Sequence, residues 1–90
     1  RFVSIMASTE DIKKSLREFI TETFMIGDES EKLGDSDSFM QNGIIDSTGV
    51  LELASFIEQQ YGFSIEDDEM TPGNLDSLNN LVSYVSRKLG

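Results

Sequence analysis

The chain has 90 residues, enough for one small domain, and 38% of them are hydrophobic, close to the least that builds a single core at this length. Seventeen acids against seven bases give a net charge of −10, and histidine, cysteine and tryptophan are absent. These absences exclude Ser-His-Asp and Cys-His nucleophile systems, zinc sites with the usual ligands, and haem held by His or Cys. Without disulfides the core alone must hold the fold, which fits a cytoplasmic location. Strong acidity repels nucleic acid and favours partners with basic surfaces. No stretch approaches the roughly 20 apolar residues that span a bilayer, so no membrane is expected as a partner.

At the start of the chain, Phe2 to Ala7 is apolar but shorter than a signal-peptide core, and no basic run precedes it. Met6 followed by a small residue reads as a natural start, which makes residues 1–5 an appended stretch and 6–90 a single domain. Ser8 with Asp11 fits a capping box in which Asp replaces the usual Glu. Ile12, Leu16, Phe19, Ile20 and Phe24 then fall on one helical face, and Gly27 supplies a stop. Lys13, Lys14 and Arg17 lie off that stripe, where charges ordinarily do no more than solvate a helix. From Gly27 to Ile45 no periodicity survives. A connection of this length is uncommon, and Leu33, Phe39, Met40, Ile44 and Ile45 suggest a loop pinned to the core.

Asp46-Ser47 opens a second helix with a buried stripe of Val50, Leu53, Ala54, Ile57 and Tyr61, ended by Gly62. The acidic run Glu66-Asp67-Asp68-Glu69 is followed by Thr71-Pro72-Gly73, so the segment holds one helical turn or a short helix. A last helix is expected to start at Asn74 or Asp76. Leu75, Leu78, Leu81, Val82, Val85 and Leu89 form its stripe, with Arg87 and Lys88 in the final turn. No strand pattern competes. The expected fold is all-α: a small bundle of three main helices and one short one, with a long first loop.

Chemistry has few places to sit. An EF-hand frame from Asp35 puts Asp37 third and Asp46 twelfth, but Phe39 falls at the fifth position and Met40 where glycine is needed. No metal site is expected, and with no phosphate loop and no Ser-x-x-Lys pair, no catalytic residue is expected either. The remaining feature is Gly43-Ile44-Ile45-Asp46-Ser47. A serine there is ordinarily a cap. This one follows a long loop ending in an Ile-Ile pair, and it stands at the positive end of a helix dipole, where a phosphate is stabilised by about 0.3–1 kcal/mol. It also lies inside a one-signed field. Between Leu33 and Ser86 there are ten acids (Asp35, Asp37, Asp46, Glu52, Glu58, Glu66, Asp67, Asp68, Glu69 and Asp76) and no Lys or Arg.

With these residues the chain resembles the acyl carrier protein family, its freestanding members included, from about Ser8 to Leu89. The likeness lies in Gly43-Ile44-Ile45-Asp46-Ser47, the helix from Val50 to Glu58, the turn Tyr61-Gly62-Phe63-Ser64-Ile65 and the closing Leu75-to-Leu89 helix. The resemblance implies that Ser47 carries 4′-phosphopantetheine, donated from coenzyme A by a phosphopantetheinyl transferase. The thiol of that arm would hold an acyl or aminoacyl group as a thioester. The implied partners are that transferase, an acyl- or aminoacyl-activating ligase and downstream acyl-processing enzymes, all meeting a monomeric carrier that is not itself an enzyme. Asp46, Leu51, Glu52, Ser55 and Glu58 are the implied partner-binding residues. Thr48, Gly49, Gln59 and Gln60 depart from the pattern of fatty-acid carriers and point towards a specialised carrier. The alternative is an unmodified acidic helical module that binds a basic partner through Glu52, Glu58 and the 66–69 patch; a cation-responsive protein is a third reading. If an acyl chain shelters between the helices, Phe39, Ile45, Val50, Leu53, Ile57 and Leu78 are the expected lining, and an ordinary core accounts for the same six.

Overall fold

The computed structural model describes residues 8–25 and 33–90. Helix α1 spans Thr9–Phe24 and α2 spans Ser47–Tyr61; a 3-10 turn at Asp67–Glu69 precedes the short α3, Pro72–Leu75, and α4, Leu78–Leu89. Among the described residues there are no strands. The all-α bundle of three main helices and one short one is therefore the fold.

Local chemistry sets the ends. Ser8 Oγ accepts from the Asp11 N–H at 3.2 Å while Asp11 Oδ2 accepts from the Ser8 N–H, so the shorter Asp does close the capping box. Helix α1 ends at Phe24, with Met25 extended; the expected stop at Gly27 lies outside the described residues. Gly62 ends α2 in the left-handed conformation at φ 78°, a geometry that glycine adopts without a Cβ penalty. Ile12, Leu16 and Ile20 of α1, Leu53 and Ile57 of α2, and Leu78, Leu81 and Val85 of α4 form the core. Helix α1 packs chiefly on α4.

Three expectations are corrected. The last long helix begins neither at Asn74 nor at Asp76. Pro72 occupies the first position of α3, where its missing N–H is no loss, and this makes 72–75 a separate turn. Ser77 then caps α4, its Oγ accepting from the Asn80 N–H at 3.1 Å. Second, Lys13 and Arg17 do more than solvate α1. Lys13 Nζ lies 2.8 Å from Asp35 Oδ2, Arg17 donates to Asp35 Oδ1, and Arg17 Nη1 donates to the Leu33 carbonyl at 2.8 Å. The loop is thus held to α1 by charge as well as by its buried Leu33, Phe39 and Ile45, whereas Met40 stays 48% exposed. Third, the expected stripe of α4 is amended: Val82 and Leu89 are only half-buried, and Tyr84, absent from that stripe, is buried. Its hydroxyl donates to Glu69 Oε1 at 2.9 Å, and Lys88 binds the same carboxylate.

Candidate functional site

The approach to Ser47 is built by the loop. Phe39 is buried, its N–H donates to the Asp76 carbonyl at 2.9 Å, and its own carbonyl accepts from the N–H groups of Ile44 at 2.8 Å and Ile45 at 3.3 Å. Gly43, at φ 70°, supplies the left-handed step that turns the chain back for this pairing. Ile45 is buried and Ile44 half-buried, so the residue pair before the helix fixes where α2 begins.

Asp46, not Ser47, is the cap of α2. Its backbone is extended and its Oδ1 accepts from the Gly49 N–H at 2.7 Å. Ser47 is the first helical residue and exposed, its hydroxyl relieved of capping. On the other side, Gly49 is in close contact with α1. A Cβ there would lie 2.9 Å from Phe24 Cε1 and 3.0 Å from Ile45 Cγ2. Phe24 meets Phe19 edge-on at 6.0 Å, and Phe19 stacks on Phe56 at 4.0 Å, so an aromatic row braces the first turn of α2. This accounts for the glycine at position 49.

Ser47 stands at the rim of a cleft of about 280 Å³. The loop contributes Phe39 and Met40 to it, α2 and the residues before it contribute Ile45, Val50, Leu51 and Leu53, and the segment from Met70 to Asp76 closes the opposite side with Pro72 and Leu75. Phe39, Ile45, Leu53 and Leu75 are buried, which places them deep, while Met40 and Leu51 are exposed at the mouth. Of the six expected lining residues, Phe39, Ile45, Val50 and Leu53 are there; Ile57 and Leu78 are fully buried core residues that do not line the cleft.

The implied partner-binding residues divide. Asp46, Leu51, Glu52 and Ser55 share the exposed side of α2 with Ser47, and Leu51 is 61% exposed. Glu58 is half-buried, with Oε2 accepting from the Ile65 N–H at 2.8 Å, so it ties the turn after α2 to the helix. The acidic field is also less uniform than its sequence. The hydrogen bond from Lys13 holds the Asp35 carboxyl below its ordinary range and raises Lys13 in turn. The Glu66 N–H, the Tyr84 hydroxyl and Lys88 lower Glu69. Burial first, then Glu69, raises Tyr84. Glu52, Glu66, Asp67 and Asp68 remain exposed, with no ion pair among the described residues. No group of three or more His, Cys, Asp or Glu among the described residues is arranged to hold a metal ion. No described helix is long and apolar enough to cross a membrane.

Sequence reasoning missed Met40, Met70 and Asp76 at the cleft. No period marks them, since all three lie in or beside connections whose approach is purely tertiary. No protein-family model matches the chain, and no curated protein matches it.

Proposed function

We propose that the protein is a freestanding carrier that holds an acyl or aminoacyl group on a 4′-phosphopantetheine arm joined to Ser47 and presents it to partner enzymes. The observation that carries this reading is the position of Ser47: exposed at the first residue of a long helix, freed from capping by Asp46, and at the mouth of an apolar cleft. These residues fit the arm. Ser47 offers an exposed hydroxyl for a phosphodiester, the N-terminus of α2 favours its negative charge, and Ile45, Val50 and Leu53 give apolar cargo somewhere to leave water. The arm, when bound, supplies the thiol that the chain itself lacks. Asp46, Leu51, Glu52 and Ser55, exposed along the same side of α2 as the attachment point, are the proposed contacts for the transferase, the loading ligase and the acyl-processing enzymes.

Intact mass after incubation with coenzyme A, magnesium and a broad-specificity transferase tests the reading. Wild type should gain one phosphopantetheine and Ser47→Ala none. No gain by wild type, with a control carrier modified in the same reaction, overturns it. The exposed Glu52, Glu66, Asp67 and Asp68, which have no ion pair among the described residues, favour the second reading, an unmodified module that binds a basic partner. On that reading Ser47→Ala leaves partner binding intact and charge reversal at those acids abolishes it.

A further inference from the structure

Asn79 holds the start of the loop at Asp35 and Ser36, and Asp76 fastens the part of the loop that lines the cleft to the opposite side. Asp76 follows α3 and lines the cleft, and it receives three consecutive loop residues. The Ser38 hydroxyl donates to Oδ2, the Phe39 N–H donates to the carbonyl at 2.9 Å, and the Met40 N–H donates to Oδ1 at 3.0 Å. Ser38 in turn closes the loop upon itself, its Oγ accepting from the Gln41 N–H at 3.1 Å and its carbonyl from Asn42 Nδ2 at 2.7 Å. Phe39 then passes the constraint to Ile44 and Ile45, directly before Asp46 and Ser47. Hydrogen bonds to an ionised carboxylate are the strong kind, each worth a tenfold or larger shift in an equilibrium.

We propose that Asp76 is a positioning residue for the cleft: its carboxylate latches Ser38 and Met40 so that the space beside Ser47 stays preformed for an apolar acyl chain. The nature of the occupant rests on the carrier reading; the latch itself does not. A cavity of about 150 Å³ accommodates benzene, so about 280 Å³ has room for a chain of roughly ten carbons. A preformed cleft binds more tightly than one that must be ordered first, because the apparent affinity falls with the fraction of molecules in the competent state.

The test titrates 1-octanol, a neutral chain within that size, into the unmodified protein, with methyl NMR shifts at Ile45, Leu53 and Leu75 both measuring its binding and locating it. Asp76→Ala should weaken binding about tenfold, as the competent fraction falls to about a tenth. Asp76→Asn should fall between wild type and Asp76→Ala, since its amide oxygen accepts from Met40 and its nitrogen donates to the Ser38 hydroxyl, but without the charge that strengthens both bonds. Lys13→Ala, which loosens the same loop at Asp35 away from the cleft, should also stay within about twofold. If Asp76→Ala does not fold, Ser38→Ala removes one of the two carboxylate partners and must weaken binding in the same direction. Unchanged binding in Asp76→Ala, equal weakening in Lys13→Ala, or no binding by wild type overturns the latch. The mass assay on Ser47 runs in parallel. A latch effect without modification of Ser47 overturns the carrier reading alone, and modification without a latch effect overturns this inference alone.

Discussion

Replacing Gly49 by alanine sets two effects of opposite sign against each other. Helix propensity alone favours the substitution by up to about 1 kcal/mol, and by less in a first turn. The surroundings oppose it. The new methyl would sit 2.9 Å from Phe24 Cε1, 3.0 Å from Ile45 Cγ2 and 3.3 Å from Asp46 Oδ1. Carbon atoms prefer about 3.5–4.0 Å, so ring and methyl must part by about half an ångström. Ile45 is fully enclosed and cannot yield. Phe24 is half-buried against Phe19, itself stacked on Phe56, so its retreat disturbs the aromatic row. Overpacking of this kind costs about 1–3 kcal/mol. The net expectation is a loss of about 1 kcal/mol and a fall in Tm of about 4–8 °C for a domain of this size. Urea unfolding should show a lower midpoint with an unchanged slope. In a Phe24→Leu background the nearest contact is relieved while Ile45 still crowds the methyl, so Gly49→Ala should cost less than in the wild-type background, a coupling of about 0.5–1 kcal/mol in the double-mutant cycle. A stabilised single variant with no coupling to Phe24 would refute the reasoning, and with it the view that α1 braces the turn that carries Ser47.

Asp35→Asn should destabilise most near neutral pH. Its folded carboxyl lies below the ordinary value of 3.8, so the stability it contributes is present above that value and is lost as pH falls through the lower, folded value. Lys13, raised above 10.5, contributes below that value and loses its contribution as pH rises beyond it. Urea midpoints of variant and wild type should therefore converge in acid and only narrow at strongly alkaline pH, where Arg17 remains charged beside Asp35; a gap that persists undiminished in acid contradicts the pairing. Salt should raise Tm at neutral pH, because a net charge of −10 is repulsive and the Debye length shrinks from about 30 Å at 0.01 M to about 8 Å at 0.15 M. A Tm that falls with salt would mean that the Lys13, Arg17 and Lys88 pairs outweigh the repulsion.

The helices were legible because their signals are local. The Ser8–Asp11 box, the Asp46 cap and the Gly62 stop each act within a few residues, and the apolar stripes repeat at the helical period. What could not be read depends on groups far apart in sequence. Asn74, Asp76 and Ser77 are all competent caps by residue type, but Asn74 lies within the turn that Pro72 opens and the Asp76 carboxylate is taken up by Ser38 and Met40, which leaves Ser77 to cap α4. Lys13 and Arg17 look solvated until Asp35 lies beside them. Gly49 reads as a weak helix residue, although its lack of a side chain is what admits Phe24. At the cleft, the apolar positions preceding and within α2 were legible, whereas the closing side from Met70 to Asp76 has no periodicity to reveal it.

These tertiary contacts change what the acidity around Ser47 means. Read along the chain, ten acids form one continuous field. In the fold, Asp35 and Glu69 are paired with bases, and Asp37, Asp46, Glu58 and Asp76 accept backbone N–H groups that hold the loop, the α2 cap, the turn after α2 and the cleft wall. Much of the negative charge therefore fixes the geometry of the site, and a smaller exposed share is left to meet a partner. Next to Ser47 that share is Glu52, joined by the exposed edge of the capping Asp46 and set beside the exposed side chains of Leu51 and Met40. In the proposed carrier role, a partner enzyme would meet a mainly apolar mouth edged by two carboxylates. Apolar contact would supply most of the binding there, and the charges would chiefly set approach and orientation.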